Sequence, residues 1–473
     1  MKKYEQVMRR INEYIALGLL AAGDRLPSIR SIAKQSGVST ISVYEAYVRL
    51  ENLHIIESRP RSGYFVAAVP RGQATGKQAP PVKRTALFTM ADIIERYVQC
   101  GVNDDLTWVG STLPGSDYFP NAKLSQYLAR CARRWPKKVN SYSMGKSEAS
   151  LIKMTARFMM NAECMVAQDE ITITNGATQA ILSALRALVM PGEYVAVESP
   201  GYVGFFNALK YLYVNPLEIP SSVETGLDVD ALAAYVTNGV CPACLILSSN
   251  FSQPTGSLMP AENKARLLAL CARYHIPIIE DDVLGELYFG LKRPKPLKSM
   301  APDEVIYISS YSKLFAPGYR VGWVAGGKYA DDIRRAYALT SYSQPVITQM
   351  ATAIYLKEGG IKSQLNKLRQ CYRQNREIVV DEVKRHFPAA TKVTPPQGGQ
   401  YLWLALPETV SASKLFIAAA AENILITPGA MFTAGSGFLN CLRLNFGQLC
   451  DDQFRAGLKR VGQLACALAN GAD

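Results

Sequence analysis

The chain has 473 residues, 48% of them hydrophobic and 19% charged, with a formal net charge of +13. That length exceeds one ordinary core and implies two or three domains, while the composition excludes wholesale disorder. No apolar run reaches the length of a membrane span, and Met1-Lys2-Lys3-Tyr4-Glu5 leads into an amphipathic pattern rather than a signal peptide, so a cytoplasmic protein with no membrane contact is expected. Residues 1–86 hold 14 Lys and Arg against 6 Asp and Glu, a local basic excess that favours a polyanion partner. The ten cysteines form no framework. Cys241-Pro242-Ala243-Cys244 is the single CxxC, and the chain has three histidines, so no structural metal site is expected and reduced thiols fit best.

Along the chain, Tyr4, Val7, Met8, Ile11 and Ile15 recur at helical spacing and predict a first amphipathic helix. Gly23-Asp24 closes a loop, and Leu26-Pro27-Ser28 starts a second helix over Ile29–Gln35. Ser36-Gly37-Val38-Ser39 is a tight turn before a third helix, Thr40–Leu50. Helix, short glycine-containing turn and helix is the helix-turn-helix pattern, whose second member enters the major groove by its N-terminal residues. Those residues are Ser39, Thr40 and Ser42, all short hydroxyl donors and acceptors. Arg30, one helix earlier, suits a phosphate contact. Ile55–Ser58 and Tyr64–Val66 then flank Arg59-Pro60-Arg61-Ser62-Gly63, a β-hairpin with two arginines near a tip that can reach DNA. The same pattern also fits a small structural domain.

Three stretches separate these readings: Leu17 to Arg30 (with Gly23-Asp24-Arg25-Leu26-Pro27-Ser28 inside it), Gly37-Val38-Ser39, and Arg61-Ser62-Gly63-Tyr64-Phe65-Val66. They resemble the GntR-type winged helix over almost all of residues 1–66, which implies a double-stranded DNA operator as partner. Such domains usually carry Arg after the Val-Ser pair, where it reads guanine. Thr40 stands there instead, so a bidentate guanine contact is not carried over.

Residues 68–86 are polar, basic and rich in Pro and Gly, and read as a flexible linker between a domain at 1–67 and another at 87–473. Beyond it, strand-like runs alternate with helical patterns, which predicts an α/β domain with a largely parallel sheet. The runs are Ile171–Thr174, Tyr194–Val197, Cys244–Leu247, Ile276–Ile279 and Val305–Ile308, with helices such as Thr178–Leu188 and Glu262–Tyr274 between them.

Several positions in this region carry chemistry. Gly176-Ala177-Thr178 follows a strand and opens a helix, a phosphate-binding arrangement that is also a common turn. Tyr202, after Pro200-Gly201, can stack on a flat ring or pack its loop. Gln253, in Gln253-Pro254-Thr255-Gly256, can aim an amide at a ring hydroxyl. Asp281 ends an apolar run and either faces the crevice, where it can pair with a protonated ring nitrogen, or caps a helix. The most informative run is Ser310-Tyr311-Ser312-Lys313-Leu314-Phe315-Ala316-Pro317-Gly318-Tyr319-Arg320. The Lys313 amine can form a Schiff base with an aldehyde, while Ser310, Ser312 and Arg320 can hold a phosphate. Aldehyde and phosphate on one small molecule point to pyridoxal 5′-phosphate. Arg443 is a charge in the apolar run Cys441–Phe446, and needs an anion: a ligand carboxylate or an internal salt bridge.

In this order the residues resemble the fold-type I aminotransferases over about residues 88–470. The resemblance implies that Lys313 carries the cofactor, Asp281 pairs with the ring nitrogen and Tyr202 stacks on the ring. It further implies that Gly176, Ala177, Thr178, Ser310, Ser312 and Arg320 surround the phosphate, that Gln253 faces the ring hydroxyl, and that Arg443 takes a substrate or effector carboxylate. Tyr142 resembles the tyrosine that reaches the phosphate of a neighbouring subunit, which implies a homodimer with shared sites. Winged helix, linker and aminotransferase-like domain together resemble the MocR subfamily of GntR-type regulators. The implied fold is α/β: an N-terminal winged helix-turn-helix, a mostly parallel large-domain sheet and a smaller α+β C-terminal part. Two departures bear on the chemistry. Gln253 stands where Asn is usual, and Val283 and Leu284 stand where a Tyr is usual. Both usual groups donate to the ring's 3-hydroxyl oxygen, so their replacement bears on turnover more than on cofactor binding.

The implied function is a regulator that senses an amino compound, or pyridoxal phosphate itself, through Lys313. The alternative is a working aminotransferase with an autoregulatory DNA-binding domain. A DNA-binding protein whose large domain only dimerises would have no use for Lys313, Asp281, Arg320 and Arg443 together.

Overall fold

A computed structural model describes residues 3–16, 20–53, 55–59, 62–67, 106–143 and 146–471. The expected linker 68–86 lies outside the described residues. The chain divides into two units, Met1–Thr85 and Ala86–Asp473.

In the first unit, helices α1 (Lys3–Ala16), α2 (Ile29–Ser36) and α3 (Thr40–Asn52) precede strands β1 (Ile56–Arg59) and β2 (Gly63–Val66). The turn between α2 and α3 is written in its caps. Ser28 Oγ accepts from the Ser31 N–H, Gly37 ends α2 at φ +63°, and Ser39 Oγ accepts from the Ser42 N–H to start α3. A side-chain cap of this kind stabilises a helix by about 1 kcal/mol. The apolar faces meet in one core of Val7, Ile11, Leu26, Ile32, Val43, Ala46, Tyr47, Leu50, Ile56 and Val66. The Tyr47 hydroxyl donates to the Pro27 carbonyl at 2.7 Å and ties α3 to the residue before α2's cap. The hairpin runs one residue further toward its tip than the apolar pattern predicts, because Arg59 pairs with Gly63.

In the second unit, β3 (Thr107–Trp108) leads to a central sheet of eight strands: β4 (Ile171–Thr174), β5 (Tyr194–Ser199), β6 (Asn215–Ser222), β7 (Gly226–Leu227), β8 (Cys244–Leu247), β9 (Ile278–Asp281), β10 (Val305–Ser310) and β11 (Gly322–Ala325). The order is β4-β11-β10-β9-β8-β5-β6-β7. The run β10, β9, β8, β5, β6 is parallel, and β11 and β7 are antiparallel to their neighbours. Both faces are covered, and the two-residue period sorts each strand between them. Val195, Val197, Ile246, Ile279, Ile306 and Ile308 pack in one cluster with the helices Ala177–Leu188 and Val203–Tyr211. Their chain neighbours Ala196, Leu245, Leu247, Ile278 and Val305 pack in the other with the helices Val229–Thr237 and Ala261–Arg273. A smaller sheet follows: β12 (Lys392–Val393), β13 (Tyr401–Ala405), β15 (Thr427–Pro428) and β16 (Cys441–Asn445), in the order β12-β13-β16-β15, while β14 (Ile424–Leu425) pairs with β3.

Two strands differ from the sequence pattern at their ends. The pattern places a strand at Ile276–Ile279, whereas β9 begins after Pro277, which has no N–H for the ladder, and continues through Glu280 and Asp281. β10 likewise runs past Ile308 to Ser310. In both cases the polar residues at the carboxyl ends are part of the strand because they are buried rather than turned to solvent, Asp281 and Ser310 toward the crevice and Glu280 and Ser309 away from it.

Behind β9 lies a buried ionic cluster. Arg293 donates to Asp282 and, through Nε at 2.6 Å, to Glu286, and all three side chains are nearly inaccessible. Tyr307 also donates to Asp282 at 2.9 Å, and Arg369 from the helix Gly360–His386 reaches Glu286 at 3.1 Å. Arg293→Met leaves two buried carboxylates short of a cation and is expected to destabilise the larger unit by about 3–5 kcal/mol, read as a lowered urea midpoint with unchanged slope.

Candidate functional site

The carboxyl ends of β4, β5, β8, β9 and β10 converge on one pocket. Ala177, Thr178, Tyr202, Gln253, Asp281, Ser310, Ser312, Lys313 and Arg320 line it, as do Val283 and Leu284. Residues that the sequence did not single out line it too: Thr112, Ser248, Asn250, Phe251 and Tyr401. Thr112 and Tyr401 come from segments far away in sequence, and no local motif marks them.

At one end, the loop after β10 folds back on itself. Ser310 Oγ donates to Ser312 Oγ at 2.9 Å and accepts from the Ser312 N–H at 3.1 Å. Arg320 adopts φ +53°, a left-handed conformation costly for an L side chain, and its guanidinium lies against the backbone of Gly176. Gly176 stands at φ +88°, a conformation that strains any L side chain, which is why this turn needs glycine; a Cβ there would also push that guanidinium aside. Arg320 holds only long bonds, 3.4 Å to Ser312 Oγ and 3.4 Å to the Asn175 carbonyl. Hydroxyls, a helix N-terminus and a loosely engaged arginine form an anion cradle.

In the middle, the Lys313 amine donates to the Thr112 carbonyl at 2.5 Å. Burial, with Arg443 and Arg320 nearby, pushes its pKa down to about 8, against the opposing pull of Asp281. Asp281 is buried and accepts the Val283 N–H at 3.1 Å, but forms no ion pair among the described residues. Burial pushes its carboxyl up to about 7. It caps no helix, so the crevice-facing alternative is the one the fold adopts. Tyr202 opens the helix Val203–Tyr211 and packs edge-on against Phe205, while Gly204 leaves room for its ring. Glu198, at the end of β5, accepts the Ser248 N–H at 2.9 Å, and burial raises its carboxyl to about 8.

The Gln253 Nε2 is buried without a hydrogen-bond partner. The amide beside it, Asn250, is committed elsewhere: it donates to Asp282 at 2.9 Å and accepts from the buried Lys264 amine at 2.6 Å. Arg443, 1% exposed, is not itself part of the pocket wall but lies behind Tyr401, which is. Its Nη2 donates to the Gly110 carbonyl at 2.7 Å and to Thr427 Oγ1 at 3.2 Å, while Nε and Nη1 have no partner. The guanidinium lies over the rings of Tyr401 and Phe432, at 4.8 and 5.1 Å from their centroids. The internal salt bridge weighed for Arg443 does not form among the described residues.

The Phe432 segment is held from the large sheet. The Gly201 N–H donates to the Phe432 carbonyl at 2.9 Å, and Glu218 on β6 accepts from Ser199 Oγ, Thr433 Oγ1 at 2.6 Å and the Gly435 N–H at 2.9 Å.

Tyr142 stands outside this pocket, 77% exposed and edge-on to Tyr342. In the first unit, Arg30, Ser39, Thr40, Ser62 and Gly63 are exposed, Ser42 is half-buried, and Arg61 lies outside the described residues. Arg59 pairs with Glu57 at 2.7 Å and lies over the Phe65 ring, so it is laid along its own strand.

Residues 126–461 match the family Aminotransferase class I and II, and residues 3–66 match Bacterial regulatory proteins, gntR family. The chain is 33% identical to the Escherichia coli K12 protein described as uncharacterized HTH-type transcriptional regulator YjiR, over 98% of each chain. It is 30% identical to the 2-aminoadipate transaminase of Thermus thermophilus, over 83% of this chain and 96% of that one. The structure of LysN, an α-aminoadipate aminotransferase from the same species complexed with N-(5′-phosphopyridoxyl)-L-leucine, superposes with a TM-score of 0.74 at 29% identity, covering 81% of this chain and 96% of that one. The order of the two units is the MocR architecture.

A phosphopyridoxyl group fits the donors present: an anion cradle at Arg320, an unpaired carboxyl at Asp281, an unpartnered amide donor on Gln253 and a lysine amine between them. An unpaired buried polar group costs about 1–3 kcal/mol. Arg443→Met is therefore expected to raise the urea midpoint of the ligand-free chain by a free energy of about that size, a gain that a charge already satisfied would not give.

Proposed function

Because the chain belongs to the aminotransferase class I and II family and carries a gntR-family unit ahead of it, we propose that it is a DNA-binding transcriptional regulator that holds pyridoxal 5′-phosphate at Lys313. Its signal is a small amino compound, or the cofactor itself. The observation that carries this reading is a pair of buried groups without an ion-pair partner among the described residues, Asp281 and Arg443, both close enough to shift the Lys313 amine, which is held down at about 8.

Pyridoxal phosphate, when bound, supplies an aldehyde that reacts with amines and a ring that withdraws electrons. Lys313 offers the amine that reaches this aldehyde. Burial, with Arg443 and Arg320 nearby, keeps part of the amine unprotonated near pH 8. Asp281 becomes ionised when a protonated ring nitrogen arrives, because the opposite charge offsets the cost of burying its own. Tyr202 covers the ring, and Ser310, Ser312, Thr178 and Arg320 hold the phosphate. Gln253 Nε2 is the amide donor for the ring hydroxyl, in a wall where Val283 and Leu284 offer none. Arg443 takes the carboxylate of an incoming amino acid on Nε and Nη1. Exposed Tyr142 serves the phosphate site of a second copy, which makes the regulator a cytoplasmic homodimer on double-stranded DNA. Ligand binding alters DNA affinity through contacts that differ between two states of the protein, typically by about 5–150-fold.

A second reading, aminotransferase turnover, is favoured by the same Lys313 amine, which is suited to carrying a proton between donor and acceptor atoms at neutral pH. Against it stand the apolar Val283 and Leu284.

Lys313→Ala is expected to abolish the yellow colour, borohydride-stable labelling at position 313 and the amine-dependent change in DNA affinity. A wild-type chain that stays colourless in excess cofactor would end the proposal. Only the neutral amine attacks an aldehyde. The initial rate of colour formation on adding cofactor to the stripped chain should therefore climb up to about pH 8 and then level, as read by stopped-flow absorbance. An ordinary exposed lysine would keep climbing to beyond about pH 10. Mixing with amino acids should give a spectral change that 2-keto acids reverse slowly; fast, complete cycling would favour the enzyme.

A further inference from the structure

Helix α3 buries Val43, Ala46, Tyr47 and Leu50 on one side. On the other, Ile41 is 77% exposed and Tyr44 is 55% exposed, one helical turn apart in its N-terminal half. Thr40 beside them is exposed as well. Their neighbours are engaged within the unit. Ser39 Oγ and Ser42 Oγ lie 3.0 Å apart, and Ser39 also accepts the Ser42 N–H. Glu45 pairs with Arg49, whose guanidinium lies over the Tyr4 ring. The side chains that stand clear of α3 at its leading end are therefore a methyl-bearing hydroxyl, a branched aliphatic and a phenol. Positions 39–44 hold no cation and no amide.

Single exposed apolar residues are ordinary. These two lie in the part of the helix-turn-helix that enters the major groove. There the one apolar feature of the base edges is the thymine C5-methyl group. Exposed Arg25, Arg30 and Lys34 on the preceding segment and helix supply positive charge for the phosphates beside such a groove. We propose that Ile41, aided by the Thr40 methyl, reads thymine by its C5-methyl groups, so that the bound site is anchored on A·T pairs rather than on guanine. Tyr44, one turn further on, adds apolar contact and a hydroxyl. This rests on the chain being a DNA-binding regulator, and it assigns that reader its chemistry.

The test uses the full-length protein with pyridoxal phosphate and a pool of random-sequence duplex DNA at one fixed salt concentration. The enriched sequence is remade with deoxyuridine in place of thymine, one position at a time, which removes the methyl and leaves every hydrogen-bonding group. Burial of one methyl corresponds to about fourfold in affinity. A loss of about that size is expected at one or two positions for the wild type, and none at those positions for Ile41→Ala. Enrichment of a site that tolerates deoxyuridine everywhere overturns the inference while leaving the regulator in place, as does an equal penalty in Ile41→Ala. Binding unchanged by Ile41→Ala also overturns it and turns this face toward a protein partner. Failure to enrich any sequence removes the DNA-reading function itself and the inference with it.

Discussion

Three acidic residues in a row, Glu280, Asp281 and Asp282, end a strand that is buried on both faces, and the rest of the larger unit is arranged around that constraint. Strand alternation sends the first and third away from the second. Glu280 is met by Ser249 Oγ and by the N–H groups of Leu297 and Lys298. Asp282 is met by Arg293, Asn250 and Tyr307. Asp281 is left with one backbone N–H. The protein surrounds the two carboxylates that face its interior with donors, and among the described residues gives no ion pair to the one that faces the crevice. The deficit is matched across the pocket by an arginine with two donors unspent. A ligand with a cationic ring edge and carboxylate and phosphate groups completes both ends at once.

Much of this was legible in the sequence, and the parts that were share a cause. The helix-turn-helix could be read because caps and turns are local: Ser28, Gly37 and Ser39 act on residues three or four away. The parallel sheet could be read because strands covered on both faces are continuously apolar. The pocket-lining residues could be read because several of them, Ala177, Asp281 and Ser310 among them, sit at or just after the end of such a run. What escaped depends on pairings between distant segments. Nothing around Thr112 announces that its carbonyl meets Lys313, and nothing around Lys264 announces that it fixes the Asn250 amide. The extension of β9 through its acidic end escaped for a different reason: polarity normally signals that a strand has stopped. Nothing in the pattern of α3 marks exposed Ile41 apart from buried Val43, because both are branched aliphatics in one short helix.

The two units resemble their relatives to different degrees in what they keep. The larger one brings Asp281, Lys313 and Arg320 to one pocket, whose wall is apolar at Val283 and Leu284. The smaller one retains caps, turn and hairpin, while the position after Val38-Ser39 lacks the guanidinium that would read guanine. In both, the scaffold persists and the side chains at the point of action are altered.

The carboxylate of Glu218 on the margin of the large sheet joins Ser199 to Thr433 and Gly435. The segment it holds begins at Phe432, whose ring lies on the Arg443 guanidinium and whose carbonyl is bonded to Gly201. Any shift of Arg443 toward an incoming anion must either carry Phe432 with it or slide across that ring. In the first case the displacement is handed through one acidic side chain to β6, four strands along the sheet order from β10 and its lysine. A continuous run of contacts thus joins a buried guanidinium to a strand near the sheet's rim.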